Sequence, residues 1–467
     1  MRPFYFIVSF WGAEFREHFL RLSVASLLAP GNLPSLTTRR DSRFFICTTR
    51  GDWEAIQDDP TFRLLTLYVE PVFIELKRPA PDFLLPILLE KRRREGGEAQ
   101  QAGGQIASLD ITPDEVLAPA AYSELQRIGL DIGRELTTAH HYALRIFFMS
   151  NGHKAGACRA FSDHANAVFL GPDLVTSDGT IVELERLVRE GCKVVLTATL
   201  RFSQDECLAD FAGKGLMEPG KPMILDPRAL VATVFKHMHP ETACFEFDSP
   251  YFCDTATSAL WRVPGDEGVL LHNLNFYPLL VNYSGVTRHQ AEYFDDGGTI
   301  DGKYIALHFD PERDVTVVDD SDRLMLASFT RQSEYYYPFK AGWKKTLPWL
   351  GIAYKAGLIR RTLYSQMGDP VKRRFYTVPI RLHSNLLTPA WAHVECRASR
   401  VASQAVGRPG LVDFMFGLHP LLAAWTWAGI RSRVLSLVAS LAARLPERQR
   451  NKLKSFVLRF LSNYRAR

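Results

Sequence analysis

The chain has 467 residues, 46% of them hydrophobic, 12% aromatic and 23% charged; this is globular composition and excludes a disordered, collagenous or disulfide-scaffold chain. Its length fits two or three domains, or one large α/β domain with additions. The 56 basic and 51 acidic residues are unevenly placed: Phe414 to Arg467 holds ten Lys/Arg against Glu447 alone, a charge of +9, which leaves Met1 to Asp413 at −4 and argues against a nucleic-acid surface spread over the core.

Phe4 to Ser9 is a short aromatic and β-branched run, read as a buried first strand that ends at Trp11 and Gly12. Glu14, Arg16 and Glu17 follow at once with no small-residue cleavage site, which favours a strand over a signal peptide. Apolar residues from Phe15 to Leu28 recur at helical spacing, and Pro30, Gly31 and Asn32 break the helix. Arg43 to Thr48 predicts a second strand, Asp52 a cap for a helix over Trp53 to Gln57, and Phe62 to Val69 a third strand. Such alternation opens a parallel α/β sheet flanked by helices.

A polar, Gly-rich insertion at about 79–118 follows, predicted mobile, with the solvated basic run Lys91 to Arg94 inside it. Pro119 to Phe161 predicts two helices broken near Ser150, Asn151 and Gly152. Ala167 to Leu170 is the fourth strand, Gly179 to Glu190 a helix and Lys193 to Thr197 the fifth strand. Short strands at Gly268 to Leu271 and Leu279 to Tyr283 come next; Thr255 to Trp261 is helix-like, and Ser333 to Val406 reads as irregular. Seven scattered cysteines with no C-x-x-C fit packed thiols in a reducing compartment.

In an open parallel sheet, ligands bind beyond the carboxyl ends of the strands. The end of the fourth strand stands out, with Asp173 and Asp178 five residues apart. A carboxylate there suits Mg²⁺ or Mn²⁺ bridging a diphosphate, and both aspartates equally suit turn starts after Pro172 and before Gly179. His153 and Lys154 follow Asn151 and Gly152 at an expected helix start, an anion-binding position, or else are a partly buried histidine and an exposed lysine. No G-x-G-x-x-G follows the first strand, where Gly12 stands alone, so a dinucleotide-dependent oxidoreductase lacks its signature.

The strand with an aromatic end, the second strand, the helix with a basic start and the strand ending at Asp173 together resemble GT-A-fold nucleotide-sugar-dependent glycosyltransferases. Ser26 to Pro34 and Asp173 to Thr180 also resemble bacterial proteins of the surface-polysaccharide glycosyltransferase type. The resemblance spans Phe4 to Thr330. Gly171, Pro172 and Asp173 stand where that fold carries D-x-D; the last aspartate is kept and the first is missing. The resemblance implies that Ser9, Phe10 and Trp11 wall the base and that Thr48, Thr49 and Asp52 contact base or ribose. His153 and Lys154 would approach ribose or phosphate, Asp173 the metal or sugar, and Asp178 would shape the sugar pocket. It further implies a metal-ligating histidine, His239 ahead of His272 and His308; the i, i+2 spacing of His237 and His239 would put both on one side of a strand, where they could share a ligand or equally be partly buried polar residues. The general base would be Asp254, with Asp248 as rival; Asp254 also suits a simple helix cap.

The C-terminal stretch alternates leucine, tryptophan and phenylalanine with Arg431, Arg433, Arg448, Arg450, Lys452 and Lys454. It reads as basic amphipathic helices for an anionic bilayer, or as a hairpin packed on the core. Phe414 to Ile430 is uncharged but contains His419 and Pro420 and is short for a span. The expected organisation is a catalytic domain at 1–330, an irregular region at 331–410 and membrane-associating helices at 411–467. The expected function is sugar transfer to a glycan or lipid-linked acceptor at the cytoplasmic membrane face. The alternative is a non-catalytic, membrane-docked partner in polysaccharide assembly.

Overall fold

The computed structural model describes residues 1–76, 138–249, 252–253, 256–295, 297–332, 351–365 and 369–407. They divide into two compact units. The first comprises 1–253, 257–343 and 366–399, and the second 254–256, 344–365 and 400–467.

The first unit is built on a seven-stranded sheet. Its strands are β1 (Phe4–Ser9), β2 (Arg43–Thr48), β3 (Glu70–Glu75), β4 (Asn166–Leu170), β6 (Val194–Ala198), β10 (Phe276–Asn282) and β11 (Val315–Val317), in the order β11-β6-β10-β4-β1-β2-β3. Strands β1 to β4 pair in parallel, as do β6 and β11; β10 runs antiparallel between β4 and β6. Strand β1 is buried on both sides, which is why its sequence is an unbroken apolar run rather than an alternating one. Its even residues Phe4, Phe6 and Val8 join one core layer and its odd residues Tyr5 and Ile7 the other. Pro278 sits inside β10, and the register shifts between Pro278 and Leu280, as expected where a residue without an N–H interrupts a ladder.

Helix α1 (Ala13–His18) continues through a π-helical stretch, Phe19–Val24, and a last turn, Ala25–Leu27. Phe19 stacks on Phe10 at 4.7 Å and meets Phe44 edge-on at 6.0 Å, fixing this helix to the even face. Helix α2 (Arg50–Ile56) and α3 (Pro60–Leu65) connect β2 to β3. The odd face is covered by α4 (Thr138–Ser162), whose Ala157 and Ala160 lie in the same layer as Ile7. A small sheet, β5 (Leu174–Thr176), β12 (Leu326–Thr330) and β7 (Arg201–Ser203), lies beyond the ends of β4 and β6. An antiparallel sheet combines β8 (Ser258–Val263), β9 (Gly268–Asn273) and β13 (Ile380–His383). In the second unit, helix Gly351–Ser365 buries Ala356, Leu358 and Ile359, and Arg360 donates to the Gln404 carbonyl.

The expected mostly parallel α/β sheet is present, with several local corrections. Phe62 to Val69 is not a strand. Asp59 accepts from the Thr61 and Phe62 amides and Pro60 occupies the first helical turn, so a cap and a proline start a helix before the β-prone residues are reached. The strand follows at Glu70–Glu75. Helix α2 is capped by Thr49, not Asp52. Helix α4 runs unbroken through Ser150, Asn151 and Gly152, so His153 and Lys154 lie mid-helix and not at a start. Within Thr255 to Trp261, Ser258 to Trp261 is strand and the described residues before it are coil and bend, not helix. The region expected to be irregular contains helices Gly351–Ser365, Pro370–Thr377 and Ala390–Val406. The 79–118 insertion and the amphipathic tail lie outside the described residues. Among the described residues, no helix is long and apolar enough to cross a membrane.

Candidate functional site

Strands β1, β2 and β4 all end at one edge of the sheet, at Ser9, Thr48 and Leu170. There the chain must leave a buried ladder, so polar side chains gather. Asp52, 5% exposed, is held by three donors: the Gly12 amide at 2.9 Å, Arg16 Nη1 at 2.7 Å and Thr49 Oγ1 at 2.8 Å. This pins the β1 loop to the β2 loop and explains why Asp52 is not the cap of α2: its carboxylate serves the neighbouring turn.

Beside it, Trp11 is 4% exposed and packs on Phe148 at 4.9 Å and Phe15 at 6.5 Å. Among the described residues the indole Nε1 has no hydrogen-bond partner, and neither have the hydroxyls of Thr48 and Ser9. Buried polar atoms are nearly always satisfied, so three orphans at adjoining strand ends need a reason. Ser9 Oγ lies under α4, so near that a Cβ on Gly152 would come within 1.9 Å of it. Burial pushes the neighbouring Cys47 thiol up to about 12, which makes it inert. Phe10 is buried in the core against Phe19, so its ring does not wall a ligand.

Asp173 emerges past β4, half-buried, and its Oδ2 accepts from Ser328 Oγ of β12 at 3.1 Å. A Cβ on Gly171 would stand 3.0 Å from Asp173 Oδ1 and 3.8 Å from the Tyr277 hydroxyl, so those two groups fill the space beside the glycine. Burial, with the Asp173 charge second, holds the Tyr277 phenol far above its ordinary titration range. Asp178 has a different role. Its Oδ1 accepts from the Gly31 amide at 2.6 Å and the Gly179 amide at 3.0 Å, tying the end of the α1 stretch to the start of α5 (Thr180–Arg189).

The remaining expected residues do not converge on this edge. His153 meets Phe169 edge-on and accepts from the Ile300 amide at 3.2 Å, and burial lowers its pKa to about 4. Lys154 pairs with Asp295 at 2.6 Å. His237 ends a 3-10 turn and His239 caps Pro240–Ala243, so the two do not share a strand face. His239 Nδ1 accepts from the Glu241 amide, so its proton sits on Nε2, which donates to the Arg331 carbonyl at 3.0 Å. No lone pair is left for a cation. His272 Nδ1 lies 2.8 Å from the Tyr376 carbonyl, and His308 accepts from the Gln290 amide. Asp248 pairs with Arg397. Asp254 is outside the described residues.

Sequence reasoning did not place Glu14, Arg16, Arg201, Tyr277, Ser328 or Arg331 at the site; they come from four stretches of the chain and carry no local motif. Arg331 donates to Glu14 at 2.7 Å and Gln204 Nε2 to the same residue at 3.1 Å. It also missed a cluster of Asp320, Asp322 and His383, whose potential ligand atoms lie within 4.8 Å of one another. That cluster is already engaged: Asp322 forms a two-point pair with Arg228, and Asp320 accepts from the Asp322 amide beside His383 Nε2. Asp173 belongs to no three-residue ligand cluster among the described residues. A hollow of about 400 Å³, lined by Met1, Arg2, Asn166, Arg189, Asn282 and Ser284, opens at the opposite, amino edge of the sheet. Compared with known proteins, the chain matches no family model and no curated protein.

Proposed function

We propose that the protein is a nucleotide-sugar-dependent glycosyltransferase of the GT-A type, acting at the carboxyl edge of the seven-stranded sheet. The observation that carries this reading is the position of Asp173, half-buried in the Gly171–Leu174 turn at the mouth of β4, with its carboxylate beside Ser328 and Tyr277. In an open α/β sheet this is the ligand-binding edge, and the orphan polar atoms of Trp11 and Thr48, one and two strands away, suit a heterocycle that supplies acceptors and donors. Asp173 and Ser328 would then orient sugar hydroxyls. In the transfer, an acceptor hydroxyl attacks the anomeric carbon, the bond to the diphosphate breaks, and the hydroxyl proton passes to a base. Asp178 is unsuited to that proton, because its carboxylate is committed to backbone amides. The acceptor would be a glycan or lipid-linked glycan, reached at an anionic membrane through the basic tail. Among the described residues Asp173 joins no group of three ligating side chains and His239 offers no lone pair, so these two do not support a shared metal centre.

The engagement of Asp178 favours a second reading, a GT-A-like protein without transfer activity that docks in a polysaccharide assembly. Release of free nucleoside diphosphate from a panel of nucleotide sugars separates the two. Turnover that Asp173→Ala abolishes supports the enzyme. Binding without release supports the docked partner, and turnover unaffected by Asp173→Ala contradicts the site.

A further inference from the structure

Strand β11 ends at Val317, and the chain after it, Val318 to Asp322, runs alongside β13. The Arg381 amide donates to the Asp319 carbonyl, the Ser321 amide to the Arg381 carbonyl and the His383 amide to Ser321 Oγ, each at 2.8 Å. This lacing fixes the backbone of both segments. It brings Asp320, Asp322 and His383 together so that one ligand atom of each lies within 4.8 Å of the others.

His383 sets this group apart from an ordinary acidic turn. The residue is 2% exposed, and its Nδ1 has no hydrogen-bond partner among the described residues. Its Nε2 looks onto the carboxylates, with Asp320 Oδ1 at 3.4 Å, beyond the range of about 2.7–3.2 Å for an N–H···O bond. With the proton on Nδ1, a buried N–H is left unpaired and the Nε2 lone pair faces a carboxylate oxygen, acceptor against acceptor. With the proton on Nε2, the contact to Asp320 is long and Nδ1 is bare. A cation between Nε2 and the carboxylates removes the conflict at Nε2.

The carboxylates keep lone pairs for it. Asp320 Oδ1 accepts from the Asp322 amide at 2.8 Å, and Oδ2 accepts no hydrogen bond among the described residues. Asp322 holds Arg228 at 2.7 and 2.9 Å; a carboxylate has about four lone-pair sites, so this pair leaves one on each oxygen. Ligating carboxylates commonly keep such a partner behind them. Arg323 and Arg381 do not neutralise the group, because they bond to Glu183 at 2.8 Å and Glu395 at 2.5 Å. The side chains of Asp320 and Asp322 are each 35% exposed, which gives an ion access from solvent.

We propose that Asp320, Asp322 and His383 bind a divalent ion that clamps the end of β11 to β13, and so ties the seven-stranded sheet to the antiparallel one. Two carboxylate oxygens and one imidazole nitrogen suit Zn²⁺ or Mn²⁺ over Mg²⁺ and Ca²⁺, which favour all-oxygen sites. An ion about 2.1 Å from each ligand sets the ligand atoms about 3–4 Å apart, so a small rotation of the carboxylates completes the site. The proposal stands apart from the nucleotide-sugar reading, since Asp173 is not among the ligands.

The test is calorimetric titration of the full-length chain, first stripped with EDTA, with Zn²⁺ and with Mn²⁺, alongside thermal unfolding. The proposal predicts one equivalent bound for at least one of the two ions and a higher unfolding midpoint in its presence. It also predicts an affinity about tenfold or more lower in Asp320→Asn and in Asp322→Asn, at least the effect of losing a group that supports a metal ligand. Both aspartates are part-exposed, so both variants are expected to fold; should one not, the other decides. Their unfolding midpoints in EDTA separate loss of the Arg228 pair from loss of the ion. Binding that neither substitution weakens would put the ion elsewhere and overturn the proposal. Failure of both ions to bind, or a midpoint that a bound ion leaves unchanged, would overturn it as well.

Discussion

Two aspartates five residues apart behave oppositely. Asp178 accepts from two backbone amides and links loops 147 positions apart in the chain. Asp178→Ala leaves those donors without their partner and costs about 1–3 kcal/mol of stability, to be read from urea denaturation. Asp173 accepts from one part-buried hydroxyl, that of Ser328, so Asp173→Ala changes stability by less than about 1 kcal/mol and instead removes ligand binding. If the two variants lose the same stability, this division of roles is wrong. His153 carries a second residue-scale prediction. Burial holds its pKa at about 4, below the ordinary 6.5, so folding requires the neutral ring. Its contribution is complete above pH 6.5 and is lost as pH falls from 6.5 toward 4, by up to about 3 kcal/mol. His289 acts in the same direction, through burial first and the adjacent His308 second. The unfolding temperature of His153→Asn should therefore fall less steeply than wild type across that window; parallel slopes would refute the assignment.

At the scale of elements, α4 illustrates what a sequence pattern conceals. Ser150, Asn151 and Gly152 look like a break, because serine, asparagine and glycine are poor mid-helix residues. The helix continues because the glycine solves a packing problem. A Cβ at Gly152 would come within 1.9 Å of Ser9 Oγ and 3.1 Å of Cys47 Cβ, so only a bare backbone lets α4 seat on β1 and β2. Gly152→Ala should cost about 1–3 kcal/mol from overpacking. Gly51 in α2 has open space around it, and Gly51→Ala should be neutral or stabilise by up to about 1 kcal/mol. Equal losses in thermal unfolding would contradict this account of the interface. Strands β1 and β2 were legible to the residue because both are short apolar runs bounded by turn-formers. The helix Pro60–Leu65 was not, since Phe62, Leu64 and Leu65 carry strand-like composition while the Asp59 cap and Pro60 decide the outcome.

For the whole molecule, the legible part of the site is what lies immediately after a strand: Trp11, Thr48, Asp52 and Asp173 all reach the carboxyl edge. The illegible part is what tertiary structure assembles. Arg331 reaches Glu14 across 317 positions and Ser328 reaches Asp173 across 155, and no local spacing encodes either meeting. Histidines drew attention as ligands in the sequence, yet His239 and His308 spend their nitrogens on the backbone. Charge distribution carries a prediction at this scale. The +9 of Phe414 to Arg467 beside the −4 of the remainder predicts that the full chain sediments with vesicles of phosphatidylglycerol and that added salt releases it. Replacing Arg448, Arg450, Lys452 and Lys454 together by glutamine should cut that binding strongly, at about 1 kcal/mol for each charge; unchanged sedimentation would contradict a role for the tail.

The most direct measurement is diffraction from crystals of the full chain soaked with a nucleotide sugar that calorimetry shows to bind. The account predicts the base against Trp11 and Thr48 and the sugar at Asp173 and Ser328. A nucleotide seated instead in the hollow between Met1, Arg2 and Asn166 at the amino edge would contradict it.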